Sequence, residues 1–333
     1  MNFRIIYLAL LGLFVSSCEP VDDTESYKEK IVVFGNLRAN EGLSDTIFVS
    51  RTYDIGQPHE AEANWISDAD VSIKGHVFTH PFKPIKNSPG RYIKKYVGEK
   101  TLPNIKYELS VKWEGQTLTS ETIIPDTLHI RSVLSSDYQC DGKPVTVFPI
   151  NLYLDENTKS DIRQAINTGD FSKVKMDTVV YKEGSCYTTS FASIPMFVVK
   201  WDAESNPGMM RLVSYALQDD AGNAIVDTTL SAHIFKGHMM VNGEGQYYWA
   251  NPIVWHLSQE YLDFGWLSFN YTGVHLVEVQ VADESFRKYY KGFPLGPPQN
   301  QYILPESNID GGYGLFSSTY SKYFLVYVKT EEK

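Results

Sequence analysis

Two short motifs in this chain place a serine three residues before a lysine, a spacing at which the amine activates the hydroxyl as a nucleophile. They are Ser172-Lys173-Val174-Lys175 and Ser285-Phe286-Arg287-Lys288. Penicillin-recognising enzymes combine such a pair with Ser-Asp-Asn and Lys-Thr-Gly elements, and the sequence contains neither element. Because four-residue patterns of common residues arise by chance, catalysis at either serine is not favoured.

Residues that ligate metals are scattered along the chain. The eight histidines stand singly, and the five-residue spacing of His233 and His238 does not suit one face of a strand or helix. Asp219, Asp220 and Asn223 offer oxygen ligands, but the twelve-residue pattern of known calcium loops is missing. A hairpin turn explains these three residues better. We therefore predict no metal site.

The segment Gly311-Gly312-Tyr313-Gly314 resembles a phosphate-binding loop only in its glycine content. No lysine or serine follows at the required offset, so a bulge or a close strand crossing is the better interpretation. Gly-x-Ser-x-Gly, His-Glu-x-x-His and dinucleotide-binding motifs are also missing. The sequence thus predicts a non-enzymatic protein without a cofactor.

The segment from Gln246 to Tyr271 carries nine aromatic residues in twenty-six. If exposed, these side chains would stack on a sugar or peptide or contact a protein partner. If buried, they form core, which is the more common place for large aromatic side chains. The candidate contact residues are Tyr247, Tyr248, Trp249, Trp255 and Trp266.

The N-terminus has the features of a lipoprotein export signal over residues 1–17. Arg4 precedes an apolar stretch from Ile5 to Val15, which is shorter than the roughly 20 residues that span a bilayer. Val15-Ser16-Ser17-Cys18 resembles the bacterial lipobox, in which the cysteine thiol receives diacylglycerol. An ordinary secretory signal with a chance cysteine is the alternative. We expect lipidation at Cys18 to hold the protein to a membrane.

Residues 18–29 are expected to form a flexible acidic tether, since four acids occur within Glu19 to Glu25. The formal net charge of −10 disfavours a nucleic-acid partner. Besides Cys18 the chain has Cys140 and Cys186, and an even remainder in an oxidising compartment favours a disulfide between them. Such a bond requires their α-carbons to come within about 7 Å.

Period-two alternation and frequent turns predict a mainly β fold. Six or seven strands in residues 30–125 indicate an immunoglobulin-like or transthyretin-like β-sandwich. Residues 126–330 are expected to form a larger β-rich domain with one or two short helices. The helical candidates are Thr158 to Thr168 and a segment from Asp283, its capping residue, to Lys291.

Several of these stretches together resemble a Bacteroidota outer-membrane lipoprotein family of unknown function, often encoded beside TonB-dependent receptors. The resemblance rests on the lipobox and on four further stretches: Ile31 to Gly35, Ile66 to Ile73, Pro89 to Tyr92, and Ser307 to Phe316. No catalytic residues are known for this family, so none are carried over. The resemblance implies an outer-membrane protein with a TonB-dependent receptor as partner, and the acidic tether favours an orientation toward the cell exterior.

These observations lead to one expected function and two alternatives. We expect a surface-exposed, non-enzymatic lipoprotein that acts as an accessory or ligand-capture subunit of a TonB-dependent transporter, with a glycan or peptide as ligand. One alternative is a cell-surface glycan or peptide hydrolase, which would need two buried carboxylates about 5 to 10 Å apart in an open cleft. The other is a structural or adhesive β-sandwich protein, which would have no concave pocket beneath the aromatic segment.

Overall fold

A computed structural model describes part of the 333-residue chain. The described residues are 28–43, 46–53, 61–94, 100–126, 130–137, 146–150, 161, 164–181, 195–201, 209–218, 238–241, 247–250, 255–257, 261–265, 269, 271–290 and 304–330. They form mainly β structure, which confirms the predicted fold class.

The strands in the first part of the chain are β1 (Ile31–Arg38), β2 (Ile47–Arg51), β3 (Asp70–Lys74), β4 (Thr79–Pro84), β5 (Arg91–Ile93), β6 (Lys106–Trp113), β7 (Gln116–Ile123), β8 (Ile130–Asp137) and β9 (Thr146–Ile150). Those that follow are β10 (Asp177–Tyr181), β11 (Pro195–Trp201), β12 (Met209–Ala216), β13 (His238–Val241), β14 (Tyr247–Ala250), β15 (His256–Leu257), β16 (Tyr261–Gly265), β17 (Gly273–Ala282) and β18 (Tyr313–Thr330).

The described strands pair into two sheets. The larger has the order β13-β14-β12-β17-β18-β1-β2-β5-β4-β3-β6-β7, with β10 added to β18 and β15 added to β12. It is mixed, because β18 lies parallel to β1 and to β10. The smaller sheet is antiparallel, in the order β16-β11-β8-β9.

Strands β1 to β7 share one core and are called the N-terminal unit below. Val33 of β1 and Val49 of β2 are fully buried in the same cluster as Val71 of β3 and Val111 of β6. In β1 and β6 the alternating sequence produces one buried and one more exposed face, as the period-two pattern predicts. The larger sheet therefore curves so that β1 and β2 form one wall of this core and β3 and β6 form another.

The side chain of Asn308 links β7 to β18 and so completes this unit. Its Nδ2 donates to the carbonyl of Glu121 at 3.2 Å and to that of Phe316 at 2.7 Å. Its Oδ1 accepts from the Phe316 amide at 2.9 Å. Three backbone groups on two strands are thus satisfied by one side chain, which explains why an asparagine begins the glycine-rich segment.

The glycines after Asn308 allow backbones to approach closely. A Cβ on Gly312 would lie 2.6 Å from the carbonyl oxygen of Ile31, and one on Gly314 would lie 1.9 Å from that of Val33. Gly314 also has a φ of 120°, which side chains of L residues rarely adopt. The interpretation of this segment as a close strand crossing, rather than a phosphate loop, agrees with these contacts.

The long strand β18 runs across both predicted regions. Its first part pairs with β1, its last part pairs with β10, and β17 lies along its other edge. One continuous sheet therefore contains strands from both sides of residue 125. The division into 30–125 and 126–330 stays a prediction.

Two short α-helices occur among the described residues, α1 (164–168) and α2 (Glu284–Tyr290), and Ala61–Asn64 form a 3-10 turn. Both helices lie in predicted helical segments. Helix α2 begins as expected, since Asp283 Oδ1 accepts the Phe286 amide at 2.8 Å as an N-cap. Neither α-helix has the length and apolarity needed to cross a membrane, and the same holds for any helix in the described part of the chain.

Candidate functional site

A row of polar side chains lies on one face of the central strands β12, β17 and β18. The strand register places Arg211 opposite Gln280, which in turn lies opposite Ser321. Two residues along, Glu278 lies opposite Tyr323. Because alternate residues of a strand share a face, the register brings all five side chains to the same side of the sheet.

Glu278 is the centre of this row. It is only 4% exposed, and it accepts four hydrogen bonds. Tyr215 Oη donates to its Oε2 at 2.7 Å, while Ser321 Oγ, Tyr323 Oη and Gln280 Nε2 donate to its Oε1 at 2.7, 3.1 and 3.3 Å. A buried carboxylate needs such donors to offset the loss of water, and here both oxygens are occupied.

The two tyrosines of the cluster remain protonated. Burial, and then the neighbouring Glu278 carboxylate, raise the pKa of Tyr215 and of Tyr323 well above the ordinary value of a phenol. Their hydroxyls therefore act as fixed donors to Glu278. A carboxylate held in this way is poorly suited to accept a proton from a substrate.

Arg211 lies at the edge of the cluster and packs against Trp255. Its Cζ is 4.8 Å from the centre of the indole ring, within range of a cation–π interaction. Its charge lowers the pKa of Tyr215, in opposition to burial and to Glu278. Both Arg211 and Trp255 are half-buried, and Arg211 Nε is a buried atom without a hydrogen-bond partner.

Helix α2 extends this surface with aromatic rings. Trp255 contacts Phe286 with a centroid distance of 4.6 Å, and Phe286 contacts Tyr290 at 4.5 Å. Tyr289, on the same helix, contacts Phe34 of β1 at 5.9 Å. The cation of Arg211 is thus flanked by a continuous run of aromatic groups from Trp255 to Tyr290.

A second buried carboxylate, Asp283, joins three elements. It is 8% exposed, and burial raises its pKa to about 6, partly opposed by its hydrogen bonds. Thr122 of β7 donates to Asp283 Oδ2, and Ser318 Oγ of β18 lies 3.5 Å from the same oxygen. The other oxygen caps α2 through Phe286. Asp283 therefore fixes the helix against the N-terminal unit.

These carboxylates do not form a hydrolase pair. Glu278 and Asp283 are five residues apart on an extended segment, which corresponds to about 16 Å. That separation exceeds the range expected for paired catalytic carboxylates. Of the two serine motifs, Ser172 lies exposed and its backbone amide donates to Asp170 Oδ1 at 3.0 Å, and Ser285 lies in the first turn of α2.

The structure describes only part of the predicted site. Trp255 is placed beside Arg211, as stated above. The backbone of Tyr247, Tyr248 and Trp249 forms most of β14, and their side chains lie outside the described part of the chain. Trp266 lies outside the described residues, as do Cys18, Cys140 and Cys186, so lipidation and the disulfide stay predictions.

Sequence reasoning missed Arg211, which packs on Trp255, and the polar cluster around Glu278. A signal for Glu278 was available, because Glu278 and Gln280 interrupt the otherwise apolar second half of Gly273–Ala282. A charged residue inside a strand that is buried along its length requires partners. The identity of those partners depends on the register of β17 with β12 and β18, which the sequence does not state.

A separate polar groove of about 610 Å³ lies on the outer face of β3, β6 and β7, and none of its lining residues belongs to 246–271. Its lining includes hydroxyl side chains and charged residues that form ion pairs. Lys74 contacts Glu108 at 3.0 Å, and Glu121 contacts Lys106, which lies outside the lining, at 3.1 Å. Within the described ranges, no group of three or more His, Cys, Asp or Glu side chains could hold a metal ion.

Comparison with known proteins places the chain in a family. Neither the curated proteins nor the solved structures include a match to it. One family model matches residues 19–194, which is more than half of the chain. This range contains the whole N-terminal unit, β1 to β7. The chain belongs to the family described as a domain of unknown function, DUF4249.

Proposed function

We propose that this chain is a surface-exposed outer-membrane lipoprotein and a non-enzymatic accessory or ligand-capture subunit of a TonB-dependent transporter. The observation that carries the proposal is the lipobox Val15-Ser16-Ser17-Cys18, followed at once by an acidic run. Lipid at Cys18 anchors the body through residues 18–29, and the acidic run favours display on the outer face. The resemblance to Bacteroidota lipoproteins encoded beside TonB-dependent receptors supports the choice of partner.

The described site supports binding rather than catalysis. Glu278 is saturated by four donors, and it lies too far from Asp283 for the two to act as a pair. Arg211 and Trp255 instead offer a charge and an aromatic ring side by side, both half-buried. Such a combination recognises a ligand without transforming it.

The transporter partnership is tested by affinity purification of the C-terminally tagged lipoprotein from detergent-solubilised outer membranes, with mass spectrometry of the recovered proteins. We expect a TonB-dependent receptor in stoichiometric amount. A protein that is recovered alone, and whose deletion leaves uptake through the neighbouring receptor unchanged, would refute the proposed function.

The anchor is tested separately with the Cys18→Ala variant. Metabolic labelling with palmitate should mark the wild-type protein and not the variant, and the variant should leave the membrane fraction. Ser17→Ala is the matched control, because alanine also fits the small-residue position before the cysteine. Protease treatment of intact cells should degrade the labelled protein if it faces the exterior, and protection would contradict that orientation.

A further inference from the structure

Arg211 differs from the other described arginines in its surroundings. Arg38, Arg51 and Arg287 form ion pairs with Glu41, Glu29 and Glu284. Arg91 lies over the ring of Phe48 at 5.5 Å, but it is exposed. Arg211 is half-buried, packs on Trp255 and forms none of the ion pairs found for the first three.

The buried Nε of Arg211 has no acceptor. Glu278, which lies on the same face of the sheet, already accepts from Tyr215, Gln280, Ser321 and Tyr323. A buried N–H donor without an acceptor lowers the stability of the folded protein. Such a donor in a native structure therefore needs an explanation. Arg211 Nε is therefore a buried donor for which a planar oxyanion would be a matching acceptor.

We infer that Arg211 and Trp255 form a binding site for the carboxylate of a small ligand, with Phe286 and Tyr290 contacting the ligand's less polar part. A carboxylate that pairs side-on with an arginine accepts one hydrogen bond from Nε and one from a terminal nitrogen. Such a pair satisfies the buried Nε and breaks none of the bonds to Glu278. The aromatic rings suit the C–H face of a sugar acid or an apolar residue at a peptide C-terminus.

Ligand binding should move the indole of Trp255. Nε is buried and the guanidinium lies over the indole ring, so we expect a carboxylate that pairs with Nε to displace this ring. The fluorescence of Trp255 reports this shift directly. Tyr215 stays in place because its hydroxyl is held by Glu278 at 2.7 Å.

This inference rests on the ligand-capture part of the proposed function, but it does not depend on the transporter. The purified full-length lipoprotein in detergent is titrated with four probes, and tryptophan fluorescence and heat of binding are recorded. The probes are D-glucuronate with its neutral partner D-glucose, and N-acetyl-leucine with its neutral partner N-acetyl-leucinamide. The first pair tests for a sugar acid and the second for a peptide C-terminus.

One carboxylate should bind about tenfold or more tightly than its neutral partner, because hydrogen bonds to charged groups exceed those to neutral ones. Arg211→Gln should abolish this preference, and Trp255→Phe should abolish the fluorescence change. Arg211→Lys keeps the charge without the paired donors, so affinity should fall about tenfold. Arg91→Gln, at the exposed arginine over Phe48, is the matched control and should bind like the wild type.

Equal binding of both carboxylates and their neutral partners would overturn the inference. A carboxylate preference that survives in Arg211→Gln would do the same. Circular dichroism checks that each variant is folded. If Arg211→Gln does not fold, Arg211→Lys decides the question, and unchanged affinity in that variant would overturn the inference. Recovery of the transporter in the purification experiment is read out separately, so either proposal can fail without the other.

Discussion

The substitution Asp283→Asn should remove a pH-dependent loss of stability. Burial raises the pKa of Asp283 from 3.8 to about 6, so the folded protein binds the carboxyl proton more tightly than the unfolded chain does. Below about pH 4 the carboxyl is protonated in both states and this penalty is absent. As the pH rises toward 6, the unfolded chain loses the proton first, and the free energy of unfolding decreases.

The size of the effect follows from the shift. A change from 3.8 to about 6 corresponds to about 3 kcal/mol once the pH exceeds both values. Asparagine is neutral at every pH, still caps α2 through its carbonyl oxygen, and can face the Thr122 hydroxyl with its amide. The variant should therefore gain up to about 3 kcal/mol relative to the wild type between pH 4 and pH 7.

Urea denaturation of both proteins, followed by tryptophan fluorescence at pH 4, 5, 6 and 7, measures this difference. Taking the difference between variant and wild type at each pH cancels the titration of all other groups. Asp310→Asn, at an exposed aspartate, is the matched control for the loss of a surface carboxylate. An Asp283→Asn difference that is constant from pH 4 to 7, or that becomes less favourable with pH, would refute the reasoning.

Three further substitutions test the packing, each by its effect on the free energy of unfolding in urea. Gly314→Ala should lower it by about 3 kcal/mol or more, because the new Cβ meets the Val33 carbonyl; Gly115→Ala, also at positive φ but with nothing within 4 Å, should cost only about 1 kcal/mol. Glu278→Gln should cost about 1–3 kcal/mol, because an amide nitrogen replaces one acceptor of the buried cluster, and equal stability would contradict the four-donor arrangement. Asn308→Ala should cost about 2 kcal/mol or more, because it leaves backbone groups of β7 and β18 without partners, and a smaller loss would mean that water replaces the side chain.

Local patterns predicted many of the elements correctly. The strands Lys106–Trp113 and Gly273–Ala282 have the predicted bounds, because each alternates or remains apolar over a length typical of a strand. The capping role of Asp283 was also predicted, since it depends only on neighbours in sequence. Strand β4 was missed, because Pro81 and Pro84 mask its β character.

Features that depend on distant pairing were not predicted. The sequence indicated a strand over Lys322 to Lys329, whereas β18 begins at Tyr313 and runs through a segment that reads as a glycine-rich turn. Its extended form is imposed by β1, which pairs with it from a position about 280 residues earlier in the chain. The same limit applies to the site, where Arg211, Glu278 and Tyr323 become neighbours only through the register of three strands.

The candidate site and the N-terminal unit are physically connected through α2. Thr122 of β7 and the helix cap both use the carboxyl of Asp283, so the position of the helix depends on the N-terminal unit. The amide of Phe286 donates to the capping carboxylate of Asp283. The ring of Phe286 also packs against the Trp255 ring, which contacts the Arg211 guanidinium. Since we expect a carboxylate that pairs with Arg211 Nε to displace this ring, the helix that supports the ring determines how freely it moves. The buried carboxylate of Asp283 therefore also positions Phe286 and, through it, the Trp255 ring of the proposed binding site.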